Sequence, residues 1–117
     1  MRLAVVGTRD YHDYSRFKNT LDTMEKISVL ISGGAKGADS LAEVYAKEKN
    51  IELKRLVPDW SKYGRAAGMI RNKDIIAEAE YVVAFWDGKS KGTKHSIELA
   101  KKKGVPILVV NVYKASC

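Results

Sequence analysis

The chain has a single cysteine, Cys117, the last of its 117 residues. One thiol allows neither a disulfide framework nor a cysteine-based zinc site within one chain, and a reducing compartment is the simplest expectation. Histidines are also scarce: His12 and His95 stand alone in the sequence, without metal-ligand company, so no metal is expected. No apolar run is long enough to span a bilayer, and no basic segment followed by a long apolar stretch opens the chain. No membrane partner is therefore expected, and the expected location is cytoplasmic. Aromatic residues make up only 9% and form no ladder, which weighs against a stacking track for single-stranded nucleic acid.

What is present suits one globular domain spanning residues 1–117, with a hydrophobic fraction of 45%. The formal net charge of +7 attracts anions: nucleotides, nucleic acid or an acidic partner. Much of the excess comes from Lys89, Lys91, Lys94, Lys101, Lys102 and Lys103. The last three read as a solvated helix end, where cations complement the helix dipole. Net charge alone therefore does not establish a nucleic-acid partner.

Five strands alternate with four helices. The strands are Arg2 to Val6, Ser28 to Ile31, Glu52 to Val57, Tyr81 to Trp86 and Pro106 to Val112. Runs such as Tyr81-Val82-Val83-Ala84-Phe85-Trp86 are apolar without alternation, as in a parallel sheet covered on both faces. Phe17, Leu21 and Met24 have helical spacing. Ala38, Leu41, Ala42, Tyr45 and Ala46 form one face of a second helix, stopped at Asn50. A third helix runs from near Gly68 to Ala79. A fourth starts near Thr93, which can cap it, and stops at Gly104 ahead of Pro106. This pattern predicts an α/β, doubly wound, Rossmann-like domain with a five-stranded, mostly parallel sheet in the order 3-2-1-4-5. The connection from Pro58 to Gly68 reads as a long loop, and long loops in compact domains are often lids or binding loops.

Three glycine-bearing stretches fall at strand-to-helix junctions: Gly7-Thr8-Arg9, Ser32 to Asp39, and Asp87 to Thr93. In a parallel sheet these junctions share one edge, so the three would converge on one crevice lined with backbone N–H groups and cations. That describes a pocket for a phosphorylated small molecule, although each stretch taken singly is also an ordinary turn. Gly33-Gly34-Ala35-Lys36-Gly37 is not a Walker A sequence, since no Lys-Ser/Thr pair follows, and it lacks the dinucleotide spacing. Its adjacent glycines leave N–H groups open to an anion. Gly92 and Thr93 repeat the arrangement after strand four, with Gly88 and Ser90 before them. Arg9, Lys36 and Arg71 supply charge, unless surface carboxylates claim them. Asp39 is either a cap or an acceptor for a ribose hydroxyl. Trp60 and Tyr63 either stack on a base or simply pack. Asp10, Asp39, Asp59 and Asp87 are carboxylates near the crevice, fit for acid/base work or ribose binding, or else solvated loop residues. No nucleophilic triad is evident.

Thr8-Arg9-Asp10-Tyr11, Ile31 to Asp39, Pro58-Asp59-Trp60, Tyr63-Gly64 with Ala67-Gly68, Arg71-Asn72, and Phe85-Trp86-Asp87-Gly88 with Lys91-Gly92-Thr93 together resemble the YspA-like branch of the SLOG superfamily, found in bacteria and their phages. The resemblance runs in order along nearly the whole chain. It implies a Rossmann-like fold, recognition of a nucleotide-derived ligand, and self-association. The related LOG enzymes cleave the N-glycosidic bond of nucleoside monophosphates. Met69-Ile70-Arg71-Asn72-Lys73 and Gly92-Thr93 are similar to their motifs, but Ser96 stands where their catalytic glutamate should. The DNA-processing A proteins share a similar glycine turn and bind single-stranded DNA.

The leading expectation is a homo-oligomer that binds a nucleotide-derived small molecule, of the ADP-ribose or cyclic-nucleotide kind, to sense or sequester it. Its expected contacts are Gly7, Thr8, Arg9, Ser32, Gly33, Gly34, Lys36, Gly37, Asp39, Asp59, Trp60, Arg71, Asn72, Trp86, Asp87, Gly88, Ser90, Gly92 and Thr93, with no further cofactor. The alternatives are an N-glycosidic hydrolase of nucleoside phosphates, using Asp87, Asp10 or Glu98, and a single-stranded DNA-binding accessory protein.

Overall fold

The uninterrupted apolar runs become the centre of a single sheet. A computed structural model describes residues 1–24 and 26–112; Cys117 lies outside the described residues. The elements are β1 (Arg2–Gly7), α1 (Tyr14–Asp22), β2 (Val29–Ser32), α2 (Ala38–Lys49), β3 (Glu52–Arg55), α3 (Trp60–Tyr63), a 3₁₀ turn (Gly64–Ala66), α4 (Ala67–Glu78), β4 (Tyr81–Trp86), α5 (Lys91–Lys103) and β5 (Ile107–Asn111). Every strand pairing is parallel, in the order β3-β2-β1-β4-β5.

Side chains alternate across the strands, and in the central strands β1, β2 and β4 both sets are buried. Leu3, Val5, Leu30, Val83 and Phe85 pack with Phe17 and Leu21 of α1 and with Ala42, Tyr45 and Ala46 of α2. Ala4, Val6, Ile31, Val82 and Ala84 pack with Ile75 and Ile76 of α4 and Ile97 and Ala100 of α5. The first two crossovers thus cover one face and the last two the other. The order of connection reverses between β1 and β4, where an open sheet offers a crevice at its strand ends.

Helix ends follow local chemistry. Asn50 and Gly104 adopt left-handed conformations (φ 54° and 80°) and close α2 and α5. Three readings of the sequence are corrected. The segment from Pro58 to Gly68 is not an open loop: it holds α3 and the 3₁₀ turn, and the Asp59 carboxylate caps α3 by accepting from the Lys62 amide at 3.1 Å. Helix α5 is capped by Ser90, not Thr93, because the Ser90 hydroxyl reaches the Thr93 amide and draws Lys91 and Gly92 into the first turn. Strand β3 ends at Arg55, short of Val57, and β5 is confined to Ile107–Asn111. Among the described residues, no helix is long and apolar enough to cross a membrane.

Candidate functional site

The loops after β1, β2 and β4 meet, and Thr8 joins them. Its amide donates to the Phe85 carbonyl at 2.9 Å, and its hydroxyl accepts from the Asp87 amide at 3.1 Å. Its carbonyl accepts from the Ala38 amide at 3.4 Å, at the start of α2. Such close approach excludes side chains. A Cβ on Gly7 would stand 2.5 Å from the Ala38 Cβ, and one on Gly37 (φ 75°) would strike the Thr8 carbonyl and the Arg9 backbone.

Between these loops, the middle of α4 and the start of α5 lies a cavity of about 100 Å³. Arg9, Asp39, Arg71, Asn72, Thr93 and Ser96 bring its polar groups, and Val6, Ala35 and Ile75 its apolar wall. This is well below the roughly 300–1,000 Å³ that encloses a drug-sized ligand. The cavity has room for a group the size of a phosphate and not for a whole nucleotide.

Arg71 is the best-fixed cation there. It is half-buried, and its Nη1 donates to the Gly33 carbonyl at 2.9 Å while its Nε donates to the Asn72 Oδ1 at 3.0 Å. Asn72 is itself buried, and its Nδ2 lies 3.3 Å from the His95 Nδ1. Burial lowers the Arg71 pKa from its ordinary value; Asp39 opposes that shift and Arg9 adds to it. The guanidinium is thus held by neutral oxygens, and it forms no close ion pair among the described residues.

Asp39, in the first turn of α2, faces the same cavity and is only 7% exposed. Its Oδ2 accepts from the Ala35 amide at 3.0 Å, closing the glycine-rich turn upon itself. Burial raises its pKa from 3.8 to about 6, against the lowering effects of the Ala35 amide and Arg71. It is the only carboxylate on the cavity wall among the described residues. The opposite wall is the start of α5. There the Ser90 and Thr93 hydroxyls lie 3.0 Å apart, Gly92 is bare, and Ser96 follows one turn later. Helix N-terminal amides and two arginines thus face one small space, an arrangement of the kind that suits an anion.

The other expected contacts are distributed elsewhere. Gly33 is buried against Arg71, and the Ser32 hydroxyl accepts from the Gly34 amide at 3.3 Å. Gly34 is turned towards Arg55 and Val57, and Lys36 is exposed away from the cavity. The Trp86 indole donates to the Ser90 carbonyl at 3.0 Å, fixing its own loop. The Asp87 carboxylate accepts from the Lys89 and Ser90 amides, both at 2.8 Å. Asp87 and Gly88 line a separate hollow on the far side of the β1–α1 loop, together with Asp10. Glu98 is exposed. Trp60 stands outside the cavity, 59% exposed, with its ring beside Gly68.

Reading the sequence missed the wall residues Val6, Ala35, Ile75 and Ser96, and His95 beside Asn72. A signal existed for two of them: Ser96 lies one turn after Thr93, and Ile75 one turn after Asn72, so each shares a helix face with an expected contact. Among the described residues, no group of His, Cys, Asp and Glu is placed to hold a metal.

Comparison with known proteins agrees with the fold. The model of the YspA, cpYpsA-related SLOG family (YAcAr) matches residues 1–63, just over half the chain, including the Thr8 and Gly33–Gly37 loops. The Gene 61 protein of Mycobacterium phage D29 is 32% identical over 117 residues, covering 92% of this chain and 94% of that protein. DNA processing protein A from Helicobacter pylori, whose structure is described for its single-stranded DNA binding mode, superposes with a TM-score of 0.73 at 24% identity. DNA processing protein A from Streptococcus pneumoniae superposes with a TM-score of 0.77 at 18% identity. The superpositions cover 93% and 92% of this chain but only 64% and 49% of those two, so the likeness is one of fold over part of a longer protein.

Proposed function

The chain belongs to the YspA, cpYpsA-related SLOG family, and on that premise we propose that it binds a nucleotide-derived small molecule, to sense or sequester it. The ligand's phosphate enters the Arg71 cavity, and its base and sugar lie at the mouth. The observation that carries this reading is the meeting of Arg71, Arg9 and the first turn of α5 around a space the size of one phosphate. Ribose hydroxyls at the mouth would find Asp39 as acceptor. The cytoplasm and a homo-oligomeric state belong to the same proposal, the latter from the family resemblance.

Binding is favoured over hydrolysis by the cavity wall. Ser96 occupies the position where the LOG resemblance calls for glutamate, and among the described residues Asp39 is the one carboxylate on the cavity wall. Asp39 is bonded to its own turn through the Ala35 amide. A nucleic-acid reading draws on the net charge of +7 and on the single-stranded DNA binding described for the Helicobacter pylori protein. It predicts binding that weakens steeply with salt.

The test is mass spectrometry of small molecules released by denaturing the purified protein, followed by calorimetry with the compound found. An intact nucleotide is expected, with affinity reduced about tenfold or more by Arg71→Gln, since hydrogen bonds to charged groups contribute roughly 1.5–3 kcal/mol. Recovery of a freed base would establish the hydrolase instead. Tight single-strand binding that is lost at moderate salt, with no small molecule recovered, would establish the nucleic-acid reading.

A further inference from the structure

An asparagine amide can turn either end to a neighbour, and its partners decide which. For Asn72 the decision lies with Arg71. A guanidinium carries only donors, so the Arg71 Nε–H at 3.0 Å must meet the Asn72 Oδ1. The amide nitrogen is then turned to α5, where the His95 Nδ1 lies 3.3 Å away. That nitrogen brings only donors, so the His95 Nδ1 must accept. The single proton of the neutral imidazole is left to Nε2. One row of bonds thus runs from His95 through Asn72 to Arg71, and on to the Gly33 carbonyl at 2.9 Å.

The row decides which part of the guanidinium is free. Nε is held by Asn72 and Nη1 by Gly33, with the Leu56 carbonyl 3.5 Å from the same Nη1. Nη2 makes no hydrogen bond among the described residues, and Arg71 lines the cavity. An anion there finds Nη2 as the unpaired end. A long arginine side chain has many rotamers to lose. Holding it at two nitrogens fixes it before a ligand arrives, and such pre-ordering raises affinity.

The bond from Asn72 to His95 is not what joins the two helices. Ile75 and Ile76 of α4 already pack with Ile97 and Ala100 of α5. Asn72 is buried and the His95 ring half-buried, so the amide has little water to turn to. Without an acceptor at position 95, the amide is free to rotate away, and the Arg71 Nε loses its oxygen.

We propose that His95 is a positioning residue of the anion site: acting through Asn72, it holds Arg71 in place and leaves Nη2 for the ligand. The inference rests on the reading of that cavity as the place of the ligand's phosphate.

Two variants separate the bond from the ring. His95→Leu puts a methyl where Nδ1 stood, and leucine suits a half-buried helix position. His95→Asn puts an amide oxygen in the same place. Both are uncharged, so they differ in the acceptor and not in charge. In the parent, ¹⁵N shifts of the ring should show Nδ1 bare and Nε2 protonated; His12 is the one other histidine to tell apart. The Arg71 Nε–H should exchange slowly with solvent in the parent and faster in His95→Leu. Inorganic phosphate, titrated by calorimetry, should bind His95→Leu roughly three- to tenfold more weakly, the effect of one hydrogen bond. His95→Asn should bring both exchange and affinity back near those of the parent. The proposal is overturned by a proton on Nδ1 in the parent, or by an Arg71 Nε–H that exchanges at the parent's rate in His95→Leu. Equal weakening of phosphate binding in the two variants overturns it too, since that is the mark of packing alone. A parent that takes up no phosphate counts against the proposed function. The ring nitrogens and the Arg71 Nε–H then still decide whether His95 holds the cation.

Discussion

Arg71 and Gly33 are 38 residues apart in the chain, yet the Arg71 Nη1 donates to the Gly33 carbonyl at 2.9 Å. The contact exists because position 33 carries no side chain: a Cβ there would occupy the place of the guanidinium. A cation is thereby fixed against the Gly33 turn by neutral oxygens, with Asp39 on the same cavity wall but, among the described residues, no carboxylate in a close ion pair with it.

Gly33→Ala should separate stability from binding. The obstructed group is the far end of a flexible side chain, so Arg71 can swing aside. Thermal unfolding is expected to show a loss below about 1 kcal/mol, as for mild substitutions. Phosphate affinity, measured by calorimetry, should fall roughly tenfold or more because the charge-assisted contact is lost.

Gly37→Ala should do the opposite. Its φ of 75° disfavours any side chain, and the added Cβ would meet the Thr8 carbonyl and the Arg9 backbone. Backbone cannot swing aside as a side-chain end can. Urea unfolding is expected to show a loss of about 1–3 kcal/mol, the usual cost of a strained backbone position. A midpoint equal to that of the parent protein would contradict the close approach of these two loops.

Thr8→Val keeps shape and removes the acceptor for the Asp87 amide. A half-buried N–H then loses its partner, which costs about 1–3 kcal/mol if water does not replace it. Hydrogen exchange at the Asp87 amide should quicken, while the amides of α2 beyond its first turn should not change.

Asp39 gives the protein a pH dependence. Its pKa is about 6 against an ordinary 3.8. Between those values the native state keeps a proton that the unfolded chain has released. Stability therefore falls as pH rises through that window and is level above it. Asp39→Asn should be more stable than the parent above about pH 6, by up to about 3 kcal/mol. The difference should shrink to nothing near pH 4. Urea titrations across this range check the sign. Sulfate, which stays doubly charged throughout, should bind the parent more tightly as pH falls through about 6, and the variant with little change. Parent stability that rises through the window would contradict the burial of the carboxylate.

The central strands were legible because burial on both faces leaves a plain mark: Tyr81–Trp86 is apolar without alternation, as a covered parallel sheet requires, whereas the equally apolar edge strand Ile107–Asn111 is only partly buried, with Leu108 exposed. The strand order is the one expected of a doubly wound domain whose connections reverse between β1 and β4. Helix α3 was hidden. It is four residues long, buries none of them, and so carries no apolar period. The cap of α5 was read two to three residues late because Ser90 and Thr93 are both good caps, and only the chain's path after Trp86 decides which one reaches an amide. The glycine stretches correctly pointed to one meeting place. Which residues face the Arg71 cavity and which face the separate hollow at Asp87 could not be read, since Thr8 and Arg9 are neighbours in sequence and stand on opposite sides of one loop.

Local chain chemistry by itself determined where the chain extends, coils and turns, because hydrophobic period and backbone freedom act over a few residues. Assembly alone decided that Arg71 would be held by Gly33, that Asp39 would keep its proton to near neutrality, and that Asn72 would meet His95. Each depends on burial and on neighbours brought from distant parts of the chain, and those arise only when the sheet and its two helical layers close around them.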